Sequence, residues 1–175
     1  FLLLLLIILV ILSGFLSGSE TAITATSKAR ILYKKKKGSK RAGYVLELLD
    51  KKDNVISTLL LSNNLVNILA SSLATAFFYD IFGVEGIFYS TLIMTVVIVI
   101  FAEVLPKTYA INRPNRTALI ISPIIYYLNK ILFIFVFFIN LIVRLVFRKN
   151  DNDIKNKDLQ SEEELKGVID LYKTS

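Results

Sequence analysis

Residues 1–25 read FLLLLLIILVILSGFLSGSETAITA, and the first twelve are all apolar. About 20 mostly apolar residues are needed for a helix to cross the hydrocarbon core of a bilayer. This stretch reaches that length, and it has no initiator Met, basic n-region or small-residue cleavage site of a signal peptide. We therefore interpret it as a first transmembrane helix. Other apolar stretches of similar length lie at about residues 55–79, 87–104 and 118–147.

The composition narrows the class of protein and the kind of site. Hydrophobic residues make up 54% of the 175, and the mean hydropathy is +0.61. The absence of Cys and His excludes thiolate and imidazole metal sites and Ser-His or Cys-His nucleophiles. We expect a non-enzyme, in which any metal site is built from oxygen and suits Mg²⁺, Ca²⁺, Mn²⁺ or an alkali ion. The net charge of +7 comes from basic residues that flank the apolar stretches, so we expect the lipid bilayer as a partner and no nucleic acid.

The basic residues also predict the topology. The first stretch is followed by Lys28, Arg30, Lys34, Lys35, Lys36, Lys37, Lys40 and Arg41. Cytoplasmic loops are the basic ones, so the N-terminus is expected outside. The link at 80–86 is acidic and therefore external, whereas the link after the third stretch is basic and cytoplasmic. We predict a multi-pass protein of the cell (plasma) membrane with a cytoplasmic C-terminus.

The stretch at 118–147 has basic residues at both ends, which conflicts with a single crossing. We interpret it as a juxtamembrane belt or a re-entrant hairpin, with a break at Ser122-Pro123, and a conventional fourth span is the alternative. The predicted fold is therefore all-α and integral to the membrane, with three transmembrane helices and a short amphipathic helix at about 42–52. We assign residues 1–149 to this transmembrane domain. Residues 150–175 form a cytoplasmic linker and the start of an acidic helix, with Ser161 as its N-cap, and a cytoplasmic continuation is expected after it.

Polar residues inside apolar spans are functional candidates because hydrocarbon penalises them. In the first span they fall within an arc of roughly 80° on one helix face: Ser13, Ser17, Glu20, Thr24 and Ser27. Gly14 and Gly18 form a GxxxG pattern beside this face. The glycines indicate close helix packing, exposure of backbone carbonyls to an ion, or both. Glu20 is either an ion-pair partner of Lys107 or a loop lysine, or a ligand of a coupling ion.

The second and third spans carry further oxygen ligands. Asn63, Asn67 and Ser71 repeat every four residues and share a face, whereas Asn64 points roughly 100° away. In the third span, Glu103 is predicted to lie in the inner part of the bilayer, or else to pair with Lys107. Pro106 lacks an N–H, so it frees a carbonyl near residue 102. Together these groups approach the six oxygens that Mg²⁺ requires.

Three motifs in this order resemble the transmembrane domain of the CorC and cyclin M (CNNM) family of magnesium transporters. They are Ser13-Gly14-Phe15-Leu16-Ser17-Gly18-Ser19-Glu20-Thr21-Ala22, Asn63-Asn64-Leu65-Val66-Asn67 and Glu103-Val104-Leu105-Pro106-Lys107. The resemblance implies a homodimer with three transmembrane helices and a belt helix per subunit. It also implies Na⁺-driven export of Mg²⁺ from an inward-facing site whose ligands are Ser13, Ser17, Asn63, Asn67 and Glu103. A backbone carbonyl of Phe101 or Ala102 would add a further ligand, although the family often has Gly where this chain has Ala102. The family's regulatory CBS-type domain, expected to bind nucleotide, would follow the acidic helix.

Two other functions remain compatible with the residues. One is a membrane-anchored Mg²⁺ sensor that binds the ion without transporting it, and the other is a non-selective cation channel. The nearly all-apolar segment at 93–100 argues against a continuous polar path and so against the channel. Small residues at about 70–76 are candidates for close packing at the dimer surface.

Overall fold

The computed structural model describes residues 2–132, and the elements in that part are all helical. They are α1 (Leu2–Ala25), α2 (Lys28–Lys36), α3 (Lys40–Asp50), α4 (Lys52–Phe82), α5 (Glu85–Val97), a π-helical segment (Ile98–Val104), α6 (Leu105–Asn112) and α7 (Pro114–Ile131). The predicted linker and acidic helix at 150–175, and the second half of the 118–147 stretch, lie outside the described residues.

Three helical rods in the described part are long and apolar enough to cross a membrane: Leu2–Ala25, Lys52–Phe82 and Glu85–Asn112. This confirms the predicted all-α membrane fold with three spans. The third span, however, does not end at Pro106-Lys107 as the sequence suggested. Helical conformation continues through Pro106 to Asn112, because the π-helical segment just before the proline accommodates the missing hydrogen bond.

The second and third spans are joined by a tight turn at Gly83. Its φ of 64° lies in the left-handed region that glycine adopts without steric cost, and its N–H donates to the Tyr79 carbonyl at 2.8 Å. Three residues later, Gly86 lies so close to the Phe78 carbonyl that a side chain there would overlap it. The two glycines therefore allow α4 and α5 to pack as an antiparallel pair directly from the turn.

The first span is the central helix, since α1 contacts α4, the π-helical segment, α6 and α7. In the half of α1 next to the basic segment, the core consists of fully buried aliphatic side chains such as Ile23, Ile31, Val45 and Leu59. A second cluster in the other half joins Leu6, Ala70, Ala74 and Met94. Ala70 and Ala74 are therefore buried inside the chain, and the small-residue stretch at 70–76 does not offer them to a partner subunit.

The segment after the first span is more ordered than its lysine run suggests. Lys28–Lys36 forms α2, with Ile31 fully buried and the lysines exposed. The amphipathic helix predicted at about 42–52 is confirmed as α3, which buries Val45 and Leu48. α3 places its apolar face in the core, whereas α2 buries Ile31 and leaves Leu32 and Tyr33 exposed with its charges.

The start of the fourth stretch forms a single helix, so the predicted break at Ser122-Pro123 is wrong. Proline removes the N–H that would bond the carbonyl of residue 119. Here the Ser122 hydroxyl lies 3.3 Å from both the Leu119 carbonyl and the Arg41 carbonyl, so its proton can compensate for that loss or bond α3. α7 also contacts α3, α1 and α4. A polar contact also joins α7 to α4, where Thr58 Oγ1 lies 2.7 Å from Asn129 Oδ1.

Candidate metal centre

The middle of α1 meets α4 through three polar side chains. The Ser13 hydroxyl oxygen lies 2.7 Å from Asn63 Oδ1 and 2.6 Å from Asn67 Oδ1. Ser13 is fully buried, Asn63 is 6% exposed, and Asn67 is half-buried one turn further along α4. A hydroxyl has one proton, so it can donate to only one of the two amide oxygens at a time. Three oxygens therefore converge at a point with a shortage of hydrogen-bond donors.

Ser17 lies one turn from Ser13 on the same face of α1 and is also fully buried. Its hydroxyl oxygen has no hydrogen-bond partner among residues 2–132. Buried hydroxyls in proteins are nearly always hydrogen-bonded, and each exception calls for an explanation. A cation bound beside Ser17 would provide one, because the hydroxyl oxygen would then have a ligand to bind.

The two glycines of α1 lie against the irregular part of the third span. A Cβ at Gly14 would lie 3.0 Å from the Phe101 carbonyl oxygen and 3.6 Å from Ala102 Cα. A Cβ at Gly18 would lie 3.2 Å from Pro106 Cβ. The GxxxG pattern therefore allows close helix packing. It also places the backbone of α1 beside the Phe101 carbonyl, one of the two backbone carbonyls proposed as ligands from the sequence.

The hydrogen-bond register of the π-helical segment identifies that carbonyl. The Leu105 N–H donates to the Ile100 carbonyl, five residues back. The next bond in this register would join Pro106 to the Phe101 carbonyl, but proline has no N–H. Phe101 therefore loses its donor, and of the two carbonyls predicted as ligands it is the one that the register favours.

Glu103 lies on the same π-helical segment, two residues after Phe101, and is half-buried. Its carboxylate makes no hydrogen bond or ion pair in the described part of the chain, where the ion pair that forms joins Lys28 to Asp50 at 2.7 Å. The alternative pairings of Glu103 or Glu20 with Lys107 are thus not formed. Glu103 makes no direct contact with Ser13, Asn63 and Asn67, which we call the Ser13 cluster. The two are connected through the packing of Gly14 on Phe101 and Ala102.

The other polar residues of the spans divide between the site and its surroundings. Asn64 points away from Asn63 and Asn67 and is exposed, so it does not hold helices together within the described part of the chain. Thr24 is exposed near the end of α1. Glu20 is half-buried, and Ser71 lies on the Asn67 face, also half-buried. No group of three or more Asp, Glu, His or Cys side chains that could hold a metal occurs within residues 2–132. Any ion at this centre must therefore be bound mainly by hydroxyl, amide and backbone oxygens.

Sequence reasoning did not predict which helix packs on the glycines, or the π-helical segment itself. The GxxxG spacing indicates close packing but carries no information about the partner. Pro106 indicated an irregular backbone in the third span. Whether the turn before it becomes π-helical depends on how that turn packs against α1, which the sequence does not show.

Comparison with known proteins places the chain in a family. Residues 4–175 match the family profile described as "Cyclin M transmembrane N-terminal domain". The UPF0053 inner membrane protein YfjD of Escherichia coli is 37% identical over 160 residues, which cover 90% of this chain and 37% of that protein. A UPF0053 protein of Haemophilus influenzae is 34% identical over 168 residues, covering 94% of this chain and 39% of its own length.

A chloroplastic DUF21 domain-containing protein of Arabidopsis thaliana is 33% identical over 132 residues, covering 74% of this chain and 20% of that protein. The chain thus spans less than two fifths of the length of these relatives. The matched residues 4–175 include all but the first two residues of the three spans. They also include Ser13, Asn63 and Asn67. The chain belongs to the cyclin M (CNNM) family and contains the transmembrane domain of that family.

Proposed function

We propose that this chain is the membrane domain of a Mg²⁺ transporter, which exports Mg²⁺ by alternating access in exchange for Na⁺. The observation that carries the proposal is the convergence of the Ser13 hydroxyl on the Asn63 and Asn67 amide oxygens. Beside them lies the Ser17 hydroxyl, which has no hydrogen-bond partner within residues 2–132. Buried oxygens with too few donors are costly unless a cation satisfies them. Mg²⁺ is a hard cation that takes six oxygens, and its ligands in proteins are of this kind.

The proposed ligand set combines groups from all three spans. Ser13, Ser17, Asn63 and Asn67 contribute side-chain oxygens, Glu103 contributes a carboxylate, and Phe101 contributes the backbone carbonyl that lacks its helical donor. When the ion is absent, the Ser13 proton partly satisfies one amide oxygen. When the ion binds, that proton must turn away, since the hydroxyl oxygen then faces the cation.

The charge of this ligand set suits transport. One carboxylate leaves a divalent ion with net positive charge, so affinity should stay moderate. A transported ion has to leave as well as bind, which moderate affinity permits. Glu20, half-buried and without an ion pair in the described part, is our candidate for a group that interacts with the coupling Na⁺.

The orientation is part of the proposal. The basic residues of α2 and of the loop at Arg113 lie at the same end of the bundle, which the positive-inside rule assigns to the cytoplasm. We place the protein in the plasma membrane with its N-terminus outside, as a homodimer. A cytoplasmic regulatory part is expected to follow this domain, as the greater length of the relatives suggests.

The test is Mg²⁺ flux in proteoliposomes that contain a Mg²⁺-sensitive dye, with and without an imposed Na⁺ gradient. Glu103→Gln preserves the shape of the side chain and removes its charge, so it should abolish Na⁺-dependent flux. Glu85→Gln is the matched control, since Glu85 is exposed in the turn at the far end of the third span and should not affect flux. If the parent protein binds Mg²⁺ but shows no flux in any gradient, the sensor function replaces transport.

A further inference from the structure

An apolar groove opens on the face of the bundle opposite the contact between α1 and α4. It has a volume of about 470 Å³ and lies between α1, α6 and α7. Gly14, Gly18 and Pro106 form its floor, Ile11 and Leu105 lie along its sides, and Thr117 and Ile121 of α7 line it as well. Its volume is within the range of small-molecule sites in proteins.

The groove lies at the depth of the hydrocarbon core for most of its length, because its floor belongs to two spanning helices. Water is costly at that depth, so an acyl chain or apolar protein suits the groove better than water does. The charged residues near one end of the groove help to decide between an acyl chain and apolar protein.

The groove ends at the corner between α6 and α7, where two arginines are exposed. The Arg113 N–H donates to the Tyr109 carbonyl at 3.2 Å, and the Thr117 hydroxyl donates to the Arg113 carbonyl at 3.0 Å. Tyr109 and Thr117 both line the groove, so the backbone of Arg113, which bonds both residues, lies beside the end of the groove. Arg116 is exposed in the first turn of α7. Neither arginine has an acidic partner in residues 2–132.

We propose that this groove binds an anionic phospholipid of the leaflet on the basic side of the membrane. One acyl chain lies on Gly14, Gly18 and Pro106, and the phosphate lies between Arg113 and Arg116. Arginine suits a phosphate because its planar guanidinium offers several donors to the phosphate oxygens. The positive end of the α7 dipole adds to the attraction. Apolar protein would account for the groove alone, whereas two exposed arginines without acidic partners in residues 2–132 favour an anionic headgroup.

The site adjoins the candidate metal centre without sharing side-chain ligands with it. Phe101 lines the groove, and the groove floor is the same pair of glycines that packs on the Phe101 carbonyl and Pro106. The inference does not depend on transport, and it would stand if the protein proved to be a sensor.

The test measures retained lipid by native mass spectrometry, using the full chain equilibrated with phosphatidylglycerol and, separately, with phosphatidylcholine. We expect the double variant Arg113→Gln/Arg116→Gln to lower the affinity for phosphatidylglycerol roughly 25-fold, about fivefold for each basic residue near the headgroups. Lys34→Gln/Lys35→Gln removes the same charge from the exposed face of α2 and should change this affinity less than twofold.

A second pair of variants tests the acyl-chain part of the site. Leu105 lines the groove and is 54% exposed, so Leu105→Trp should fill the groove and lower retention of both lipids. Ile111→Trp, also on α6 but outside the groove, should not. If Leu105→Trp disturbs folding, Ile11→Trp offers the same test from α1.

Three results would overturn the proposal. Equal losses in the arginine and lysine variants would show unspecific attraction to anionic lipid. Unchanged retention in the groove-filling variants would exclude an acyl chain. A shift from dimer to monomer in those variants, with lipid retention unaffected, would assign the groove to a second copy of the chain.

Discussion

The Ser13 hydroxyl oxygen lies 2.6 Å from Asn67 Oδ1 and links the middle of α1 to α4 across 54 residues of sequence. The same hydroxyl lies 2.7 Å from Asn63 Oδ1, so a single side chain of α1 faces two amides of α4. In hydrocarbon such a contact would hold two helices together even without an ion. The unpartnered Ser17 hydroxyl next to it is the feature that helix packing alone does not explain.

The first prediction separates a metal ligand from a packing residue within one helix. Asn67→Ala should lower Mg²⁺ affinity at least about tenfold, since loss of groups that merely support metal ligands already costs 10–100-fold. Asn64→Ala is the matched control, because Asn64 is exposed on another face of α4 and should leave affinity unchanged. Isothermal titration of the purified chain with MgCl₂ measures both. Equal affinities in the two variants would exclude Asn67 as a ligand.

The second prediction concerns the closeness of α1 to the third span. Gly14→Ala would place a Cβ 3.0 Å from the Phe101 carbonyl oxygen, and backbone has little freedom to withdraw. We expect a destabilisation of about 1–3 kcal/mol, typical of overpacking, together with reduced Mg²⁺ binding. Thermal unfolding in one detergent gives the first quantity and titration the second.

The control for that variant is Gly43→Ala in α3, where a Cβ would meet no atom of the described residues within 4 Å. Alanine is the better helix former, so this change should stabilise the protein by roughly 0.5–1 kcal/mol. If Gly14→Ala were as stable as Gly43→Ala, the close approach of α1 to Phe101 would be contradicted.

These contacts also show what the sequence could predict. The spacing of Asn63 and Asn67 defines a shared helix face, and the GxxxG pattern defines a close approach, because both depend on local geometry alone. Which faces meet depends on tertiary packing. For this reason the sequence offered the small residues at about 70–76 only as candidates for a dimer surface, and two of them, Ala70 and Ala74, are buried inside the chain against Leu6 and Met94.

Proline was the least predictable residue, because its effect depends on whether a neighbour compensates for the missing N–H. At Pro123 the Ser122 hydroxyl lies within bonding distance of both the Leu119 and the Arg41 carbonyls, and α7 continues where a break was predicted. At Pro106 the preceding residues adopt a π-helical register, and the span continues to Asn112. A local sequence rule treats the two prolines alike, although their structural outcomes differ.

The third prediction tests the role of Pro106 as the residue that leaves a carbonyl free. Pro106→Ala supplies an N–H that can bond the Phe101 carbonyl. An ion would then have to displace a hydrogen bond worth about 1 kcal/mol, so Mg²⁺ affinity should fall about fivefold. Alanine keeps the Cβ that packs on Gly18, and stability without the ion should not decrease. Pro123→Ala, in α7, is the control and should leave affinity unchanged. An unaltered affinity in Pro106→Ala would remove Phe101 from the ligand set.

The fourth prediction concerns the attachment of α7 to the spans. Thr58 is fully buried, and its hydroxyl oxygen lies 2.7 Å from Asn129 Oδ1 and 2.9 Å from the Asn54 carbonyl oxygen, so its proton can be donated to either. Thr58→Val keeps the shape and leaves the amide oxygen without this donor, which should cost about 1–3 kcal/mol. Ser57→Ala removes only a bond to the Asp53 carbonyl within α4, so it should cost less than about 0.5 kcal/mol.

Thermal unfolding of the two variants in the same detergent gives the comparison, and Mg²⁺ titration provides an independent readout. Thr58 lies on α4 more than one turn before Asn63 and makes no hydrogen bond with Ser13. The affinity for Mg²⁺ should therefore be the same in both variants. A loss of Mg²⁺ binding in Thr58→Val with no loss of stability would mean that α7 acts on the metal centre itself. Matching stabilities for Thr58→Val and Ser57→Ala would show that the helix is held to the bundle by its apolar face, through side chains such as Ile121 and Ile125, and not by its polar contacts.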